Sequence, residues 1–505
     1  TLKSFSRHLI FSLKLRSFIQ LQKLSLINFI NLIRLKICKP MVNSFVKNRL
    51  IKFFSNNKLM KTFLTYSKII IISIILAIYL FQIFLTIKYS GSLGEISKKI
   101  SLYENSTGNK FDKRTKFEVY NELKKINDDI TVVMSPSFGL EYFGQQYLKD
   151  NLFPLSGFSN KKTINCNENG YYSIFQSDRF GFNNPDTEWD SHEIEFLLVG
   201  DSFTLGSCVN RPHDIASKLR IFSNQNVLNL GYVANGPLFQ YATLREYLGK
   251  NVKNIIWLYY ENDIFDLDRD LKSNIFLKYL NDKSFSQKLK FKQDNINDAL
   301  AEFLSKVESL ESKKQENDKK EKNSIIFKIK KFLTLKNIRE LFLDKYLKSY
   351  NIQKKIRPEF EQILFKSKEL SNKNNSDFYF VFLPSYKRYA YGYDKDEILY
   401  NEIKNIVDKL NIKFIDIHNE FLTGKKNPLK YFPFQTSGHY NIEGYKEVSK
   451  IIYNLVGGLK SSMGYLGSKK IIDLQKNGEF VKITKAGFYE SMVHNVDHIK
   501  QNGTK

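Results

Sequence analysis

The sequence predicts an α/β domain built on a parallel sheet. Three observations lead there: short apolar runs, segments of helical period between or after them, and turn residues at the junctions. The runs are 195–199 (EFLLV), 226–230 (NVLNL), 254–260 (NIIWLYY), 377–383 (DFYFVFL) and 412–417 (IKFIDI). The helical segments are 213–223, 238–249, 358–371, 395–410 and 442–455. Strands alternating with helices require right-handed crossovers and a sheet covered on both faces. Ligands of such sheets bind at the carboxyl ends of the strands.

The chain has 505 residues, of which 42% are hydrophobic, enough for a sizeable core with appendages. Its formal charge of +26 is unevenly placed: residues 1–68 hold fourteen Lys/Arg and no Asp or Glu. That basic segment precedes an apolar run and carries no recognition motif, so nucleic acid is not expected as a partner. Residues 1–59 read either as an amphipathic membrane-surface helix or as translated sequence ahead of a start at Met60, and they receive no function.

Next comes "IIIISIILAIYLFQIFLTI", residues 69–87, nineteen positions without a charge. As a helix it spans roughly 28 Å, close to the ~30 Å hydrocarbon core of a bilayer. The positive charge ahead of it places the N-terminus in the cytoplasm and everything after residue 88 outside, as a single-pass inner-membrane protein. Residues 88–190 read as a stalk and a helix over 89–120, then an irregular region with short strands over 130–190, rich in Gly, Asn, Ser, Pro and aromatics and packing on the domain. The domain itself is expected in two parts, 191–265 and 358–460, separated by a Lys-rich helical insertion, 266–357. The insertion contains "SKKQENDKKEKNS", read as a hinge, and is expected to be a solvated lid or spacer. The tail, 461–505, gives no readable signal.

The chemistry concentrates in "FLLVGDSFTLGSCVN", residues 196–210. A buried strand here delivers an acid and a hydroxyl side by side. Gly200-Asp201-Ser202 is either a turn that caps the next helix or the seat of a nucleophile. A serine needs a base and oxyanion donors. Gly231 follows the second strand, Asn262 the third, and His439 stands in "SGHYNIEGY" before the last helix.

Ser202, Gly231, Asn262 and His439, in this order and at successive strand ends, resemble the SGNH (GDSL-type) hydrolase superfamily over about residues 194–265 and 375–456. The resemblance implies a flavodoxin-like three-layer α/β/α sandwich with five parallel strands. It implies Ser202 as nucleophile and His439 as general base. The N–H groups of Ser202 and Gly231 and the amide of Asn262 would receive the oxyanion. Similarity to envelope-acting members implies an O-acylated saccharide or glycan substrate, for hydrolysis or acyl transfer. Departures are Thr436 where an Asp commonly precedes the His by three, followed by Ser437; Tyr260 in place of a Gly; and Phe203 in place of a Leu. The missing acid motivates a competing reading, a non-catalytic glycan-binding or assembly protein. Asp416 is a possible substitute acid, with an ordinary strand-end role as the alternative. "DRFGFNNP" (178–185) resembles a segment found ahead of the serine block, so Asn183 or Asn184 either lines the site or forms a turn.

No Cys-x-x-Cys, metal-ligand cluster or phosphate-cradling Gly loop is present, so neither metal nor cofactor is expected. Cys166 and Cys208 lie outside the membrane run. They form a disulfide in an oxidising compartment or remain two buried thiols. As a bridge they would close a loop of about forty residues, worth roughly 4 kcal/mol.

Overall fold

The computed structural model describes residues 58–88, 95–143, 152–323, 332–339, 356–391 and 394–468, with a few isolated positions besides. Residues 1–57, the end of the insertion and most of the tail lie outside the described residues. The chain divides into two units, Thr1–Lys88 and Tyr89–Lys505. The described part of the first is one helix, α1 (Lys58–Lys88), which encloses the charge-free run. Its stretch Thr65–Ile87 is long and apolar enough to cross a membrane.

The second unit opens with α2 (Glu95–Thr107) and α3 (Lys116–Lys124). A reciprocal capping box fixes the start of α3: Glu118 N–H donates to Thr115 Oγ1, and the Glu118 carboxylate accepts from Thr115 N–H. Then come β1 (Ile130–Val132), α4 (Pro136–Phe143), β2 (Lys162–Ile164) and β3 (Ile174–Gln176). These strands form a small mixed sheet, β1 parallel to β2 and β2 antiparallel to β3. The short strands expected within 130–190 are thus present, and they gather around a second small core.

The main sheet begins with β4 (Ile194–Gly200), followed by the short helix α5 (Ser202–Leu205) and α6 (Ile215–Ser223). It continues through β5 (Val227–Asn229), α7 (Pro237–Tyr247), β6 (Val252–Tyr260), α8 (Asp263–Asp270), α9 (Asn274–Asn281) and α10 (Gln293–Asn323). After the insertion follow α11 (Pro358–Lys373), β7 (Asp377–Leu383), α12 (Tyr386–Tyr391), α13 (Asp394–Lys409), β8 (Lys413–Asp416) and α14 (Ile442–Tyr465). The five strands lie in the order β5-β4-β6-β7-β8, all parallel. The fold is thus a flavodoxin-like three-layer α/β/α sandwich. Its chain order reverses at β4, which places a crevice at the carboxyl end of that strand.

Strand alternation explains the two layers. Leu197, Val199, Ile255, Trp257, Phe380 and Phe382 face α7, α11 and α13 on one side. Phe196, Leu198, Ile256, Leu258, Tyr379 and Val381 face α6 and α14 on the other. Successive residues of a strand point to opposite faces, so both faces of a central strand must be apolar. The first part of the insertion departs from the expected solvated spacer. Leu289, Ile296 and Leu300 join the main core, while Phe303 and Leu304 pack with Ile130, Val132 and Ile164. The Lys-rich run read as a hinge is helical through Asn323.

Candidate active site

At the end of β4 the chain turns under itself. A Cβ on Gly200 would lie 2.0 Å from Thr204 Oγ1 and 2.6 Å from Leu258 O, so only glycine fits. Asp201 caps α5, accepting Phe203 N–H at 2.8 Å, and the helix ends at Gly206 with φ of +82°. Ser202 stands at the first helical position, where its N–H has no intrahelical acceptor. Its Oγ lies 2.9 Å from His439 Nε2 and 3.3 Å from Asp201 Oδ2. The two residues are 237 positions apart in sequence.

Glu168 completes this chain of contacts from the far side. One carboxylate oxygen lies 3.2 Å from His439 Nδ1, and the other accepts the His439 backbone N–H at 2.7 Å. A carboxylate is an acceptor only, so Nδ1 is the nitrogen that donates to it, and in the neutral ring Nε2 presents its lone pair toward the serine hydroxyl. Gly438 makes this approach possible, since a Cβ there would lie 2.5 Å from Glu168 Oε2. The sequence reading did not name Glu168. Its one available signal was position: it sits two residues after Cys166, in the segment a bridge to Cys208 would bring beside Ser202.

That bridge is present, linking Cys166 to Cys208 with Cα atoms 4.9 Å apart. Cys208 Sγ lies 3.7 Å from His439 Nδ1. The cysteine sulfurs and the imidazole cluster within 4.8 Å, but bridged sulfurs are not thiolates and offer no ordinary metal donor set. Helix α2 buttresses the same region. Tyr103 fills the space beside Gly170, and Lys99 Nζ donates to Ser437 O at 2.6 Å.

Burial is the largest influence on both partners and disfavours their charged forms. For Glu168 the facing imidazole, its hydrogen bonds and Lys99 outweigh burial, and the carboxyl lies below its ordinary range. For His439 the Glu168 carboxylate prevails over burial and raises the imidazole, aided by Asp201 and opposed by Lys99. About a fifth of each side chain remains exposed, 21% and 20%. Asp201 is pushed up chiefly by burial, against the Phe203 N–H and His439.

The two aromatic departures occupy one place. Phe203 and Tyr260 stack at 3.8 Å between ring centroids with 22° between planes. Phe203 also packs on His439 at 4.7 Å. Beyond Tyr260 opens a cavity of about 180 Å³ at the ends of β6 and β7, lined by Asn262, Phe382, Tyr400 and the buried ion pair Glu261–Arg388 among others.

The structure gives the other residues singled out in the sequence the following places, and for Gly231 it corrects the expected role. Gly231 N–H donates to Asn229 Oδ1 at 2.8 Å, so it is engaged within its own turn rather than turned to an oxyanion. Its steric role is plain: a Cβ would lie 2.4 Å from Thr204 Cβ and 2.6 Å from Leu205 N. Asn262 is exposed at the start of α8. Asn183 and Asn184 are buried scaffolding and do not line the site. Asn183 Nδ2 donates to Leu205 O, and Asn184 Nδ2 to Asp178 and to Asn229 O. Thr436 is buried and closes a turn through Pro433 O, while Ser437 offers its carbonyl to Lys99. Asp416 accepts from Tyr400, Asn419 and the His418 N–H at the end of β8, and so acts as a strand-end cap.

Comparison with known proteins matches the "IMP dehydrogenase / GMP reductase domain" family over residues 420–494. Curated relatives are inosine-5'-monophosphate dehydrogenases. The Helicobacter pylori (strain ATCC 700392 / 26695) protein is 56% identical over 55 residues, 11% of this chain and 11% of that protein. The Chlorobaculum parvum protein is 48% identical over 67 residues, 13% of each. The Cryptosporidium parvum protein is 39% identical over 83 residues, 16% of this chain and 20% of that one. The chain thus spans only 11% of the length of the Helicobacter pylori relative it matches. The matched segment takes in α14 and much of the tail that gave no signal in the sequence. It includes His439 but neither Ser202 nor Glu168. Among solved structures, the chain is similar to a G-D-S-L family protein from Desulfitobacterium hafniense DCB-2 described as lipolytic. That likeness has a TM-score of 0.29 and 13% identity, over 52% of this chain and 99% of that one. It is also similar to an acetyl xylan esterase, AlAXEase, with TM-score 0.28 and 13% identity, over 52% and 100% of the two chains.

Proposed function

We propose that this chain is a membrane-anchored serine ester hydrolase or O-acyltransferase working through an acyl-enzyme. One observation carries the reading: the continuous contact from Ser202 Oγ through His439 to Glu168. In the first half-reaction His439 Nε2 takes the Ser202 proton as Oγ bonds to the acyl carbon. The Ser202 N–H at the start of α5 and, as the resemblance implies, the Asn262 amide would receive the oxyanion. The tetrahedral adduct then collapses, the ester C–O bond breaks, and His439 Nε2–H protonates the departing alcohol oxygen. In the second half, His439 deprotonates a water or a sugar hydroxyl that attacks the acyl carbon, the Oγ–acyl bond breaks, and His439 Nε2–H returns the proton to Ser202 Oγ. Glu168 holds the ring orientation throughout and balances the imidazolium that forms twice per cycle.

The basic segment ahead of α1 supports a cytoplasmic N-terminus at the inner membrane, with the domain outside. In that compartment an O-acylated envelope glycan is the substrate we infer. Thr436 in the acid's usual place favours a non-catalytic glycan-binding or assembly protein, whereas the Glu168 contact to His439 supports the catalytic reading. The segment shared with inosine-5'-monophosphate dehydrogenases is too small a part of those enzymes to carry an oxidoreductase reading. The test is acetate release from acetylated sugars and from a chromogenic acetate ester, with labelling by a fluorophosphonate. Wild type should do both and Ser202→Ala neither; equal turnover in the variant would refute the assignment.

A further inference from the structure

The segment bearing Glu168 is joined covalently to the segment following the nucleophile. Cys166 precedes Glu168 by two residues, Cys208 follows Ser202 by six, and their sulfurs are bonded. Hydrogen bonds run alongside: Asn165 Nδ2 donates to Ser207 Oγ at 3.3 Å and Asn169 Nδ2 to Cys208 O at 2.9 Å. His439 Nδ1 sits at the focus, 3.2 Å from Glu168 Oε1 and 3.7 Å from Cys208 Sγ.

We propose that the Cys166–Cys208 disulfide is a positioning element of the catalytic site, holding Glu168 against His439 and so coupling the strength of the base to thiol redox state. The inference rests on the ester-chemistry reading above. A thiol or phosphine reductant supplies two electrons and is itself oxidised. The S–S bond breaks and each sulfur takes a proton. Two unbonded sulfurs cannot remain at bonding distance, so the arms separate, and the arm from Cys166 carries Glu168 with it. Three charged groups bear on His439: Glu168 beside the bridge, Asp201 at the cap of α5, and Lys99 on α2. Drawing Glu168 away leaves Lys99 opposing Asp201 alone, so the imidazole loses its main support as a cation. A displacement of about 1 Å in such a site costs up to about 10²-fold in rate.

The test uses the full chain in detergent, oxidised or treated with tris(2-carboxyethyl)phosphine, with thiols counted by titration and folding followed by circular dichroism. Fluorophosphonate labelling and turnover of a small chromogenic ester are measured across pH. Reduction should slow both by about tenfold or more and move the acid limb of the profile to lower pH. In Glu168→Ala, oxidised and reduced protein should differ by less than about twofold, because the group being positioned is already gone. Three results overturn the proposal: an unchanged rate and profile once two thiols titrate, an equal loss on reduction in Glu168→Ala, or unfolding on reduction. An oxidised protein that neither labels nor turns over removes the ester reading and this inference with it. An active enzyme indifferent to reduction removes this inference alone.

Discussion

Glu168 grips His439 at two atoms, one carboxylate oxygen 3.2 Å from Nδ1 and the other 2.7 Å from the backbone nitrogen. The second bond matters as much as the first. It fixes the carboxylate to the main chain that carries the ring, so ring and acid move as one body. An acid delivered from position 168 thereby stands against the imidazole where one was expected from position 436.

Replacing Glu168 by Gln should therefore be severe. An amide can turn its NH₂ toward Nδ1 and impose the tautomer that leaves Nε2 protonated and unable to accept from Ser202. The analogous Asp-to-Asn change in serine proteases costs about 10⁴ in kcat. Here we expect a loss of at least about 10² in kcat/KM for a small ester. The carboxylate raises His439, so its removal should also shift the acid limb of the profile to lower pH. A steady-state pH series on both proteins checks this; a profile displaced upward would contradict it.

The same pair predicts a pH window of stability. Glu168 is depressed below its ordinary 4.5, so its contribution is present above that value and is lost as pH falls through its folded pKa. His439 is raised above 6.5, so its contribution is complete below that value and is lost as pH rises through its folded pKa. Both act together between about 4.5 and 6.5. The melting-temperature gap between wild type and Glu168→Gln should peak there and narrow on either side. Thermal melts in a graded buffer series would show it, and a gap constant with pH would count against the ion pair.

Much of this architecture is legible in the sequence because the sheet is buried on both faces. Runs such as "NIIWLYY" admit few alternatives, and the strand at 377–383 begins and ends where its pattern does. The small sheet is legible only as short strands in an irregular region, since strands of three residues are too short to show their bounds or pairing. Helix α14 runs past the expected end at 455, through Gly457 and Gly458, which by propensity argue against helix. Glu168 was hidden for a different reason. Its partner lies 271 residues away, and only the folded chain, joined at Cys166 and Cys208, brings them together.

The stacked pair Phe203–Tyr260 should behave as one unit. Two substitutions that look independent in sequence share a face, and Phe203 in turn supports the His439 ring. Phe203→Leu and Tyr260→Gly should each destabilise the fold, while the double variant loses less than the sum. Aromatic pairs are coupled by about 0.5–1.5 kcal/mol. Equilibrium unfolding of the four proteins of the cycle measures this, and strict additivity would show that the rings do not support one another.

Two glycines should fail in opposite ways when changed to alanine. At Gly231 the new methyl meets Thr204 Cβ at 2.4 Å and the Leu205 nitrogen at 2.6 Å, groups belonging to the turn that carries Ser202. Backbone cannot step aside, so Gly231→Ala should lose about 1–3 kcal/mol of stability and activity with it. At Gly438 the three atoms nearest the methyl all belong to the Glu168 carboxylate, with Oε2 at 2.5 Å, at the free end of a flexible side chain. That carboxylate swings away at the cost of its ion pair with His439 and nothing more of the fold. Gly438→Ala should thus melt no lower than Glu168→Gln while showing a comparable rate loss and shifted profile. Thermal melts paired with pH-rate profiles separate the two outcomes. A Gly438→Ala enzyme with wild-type kinetics would mean that the acid does not depend on the space this glycine leaves.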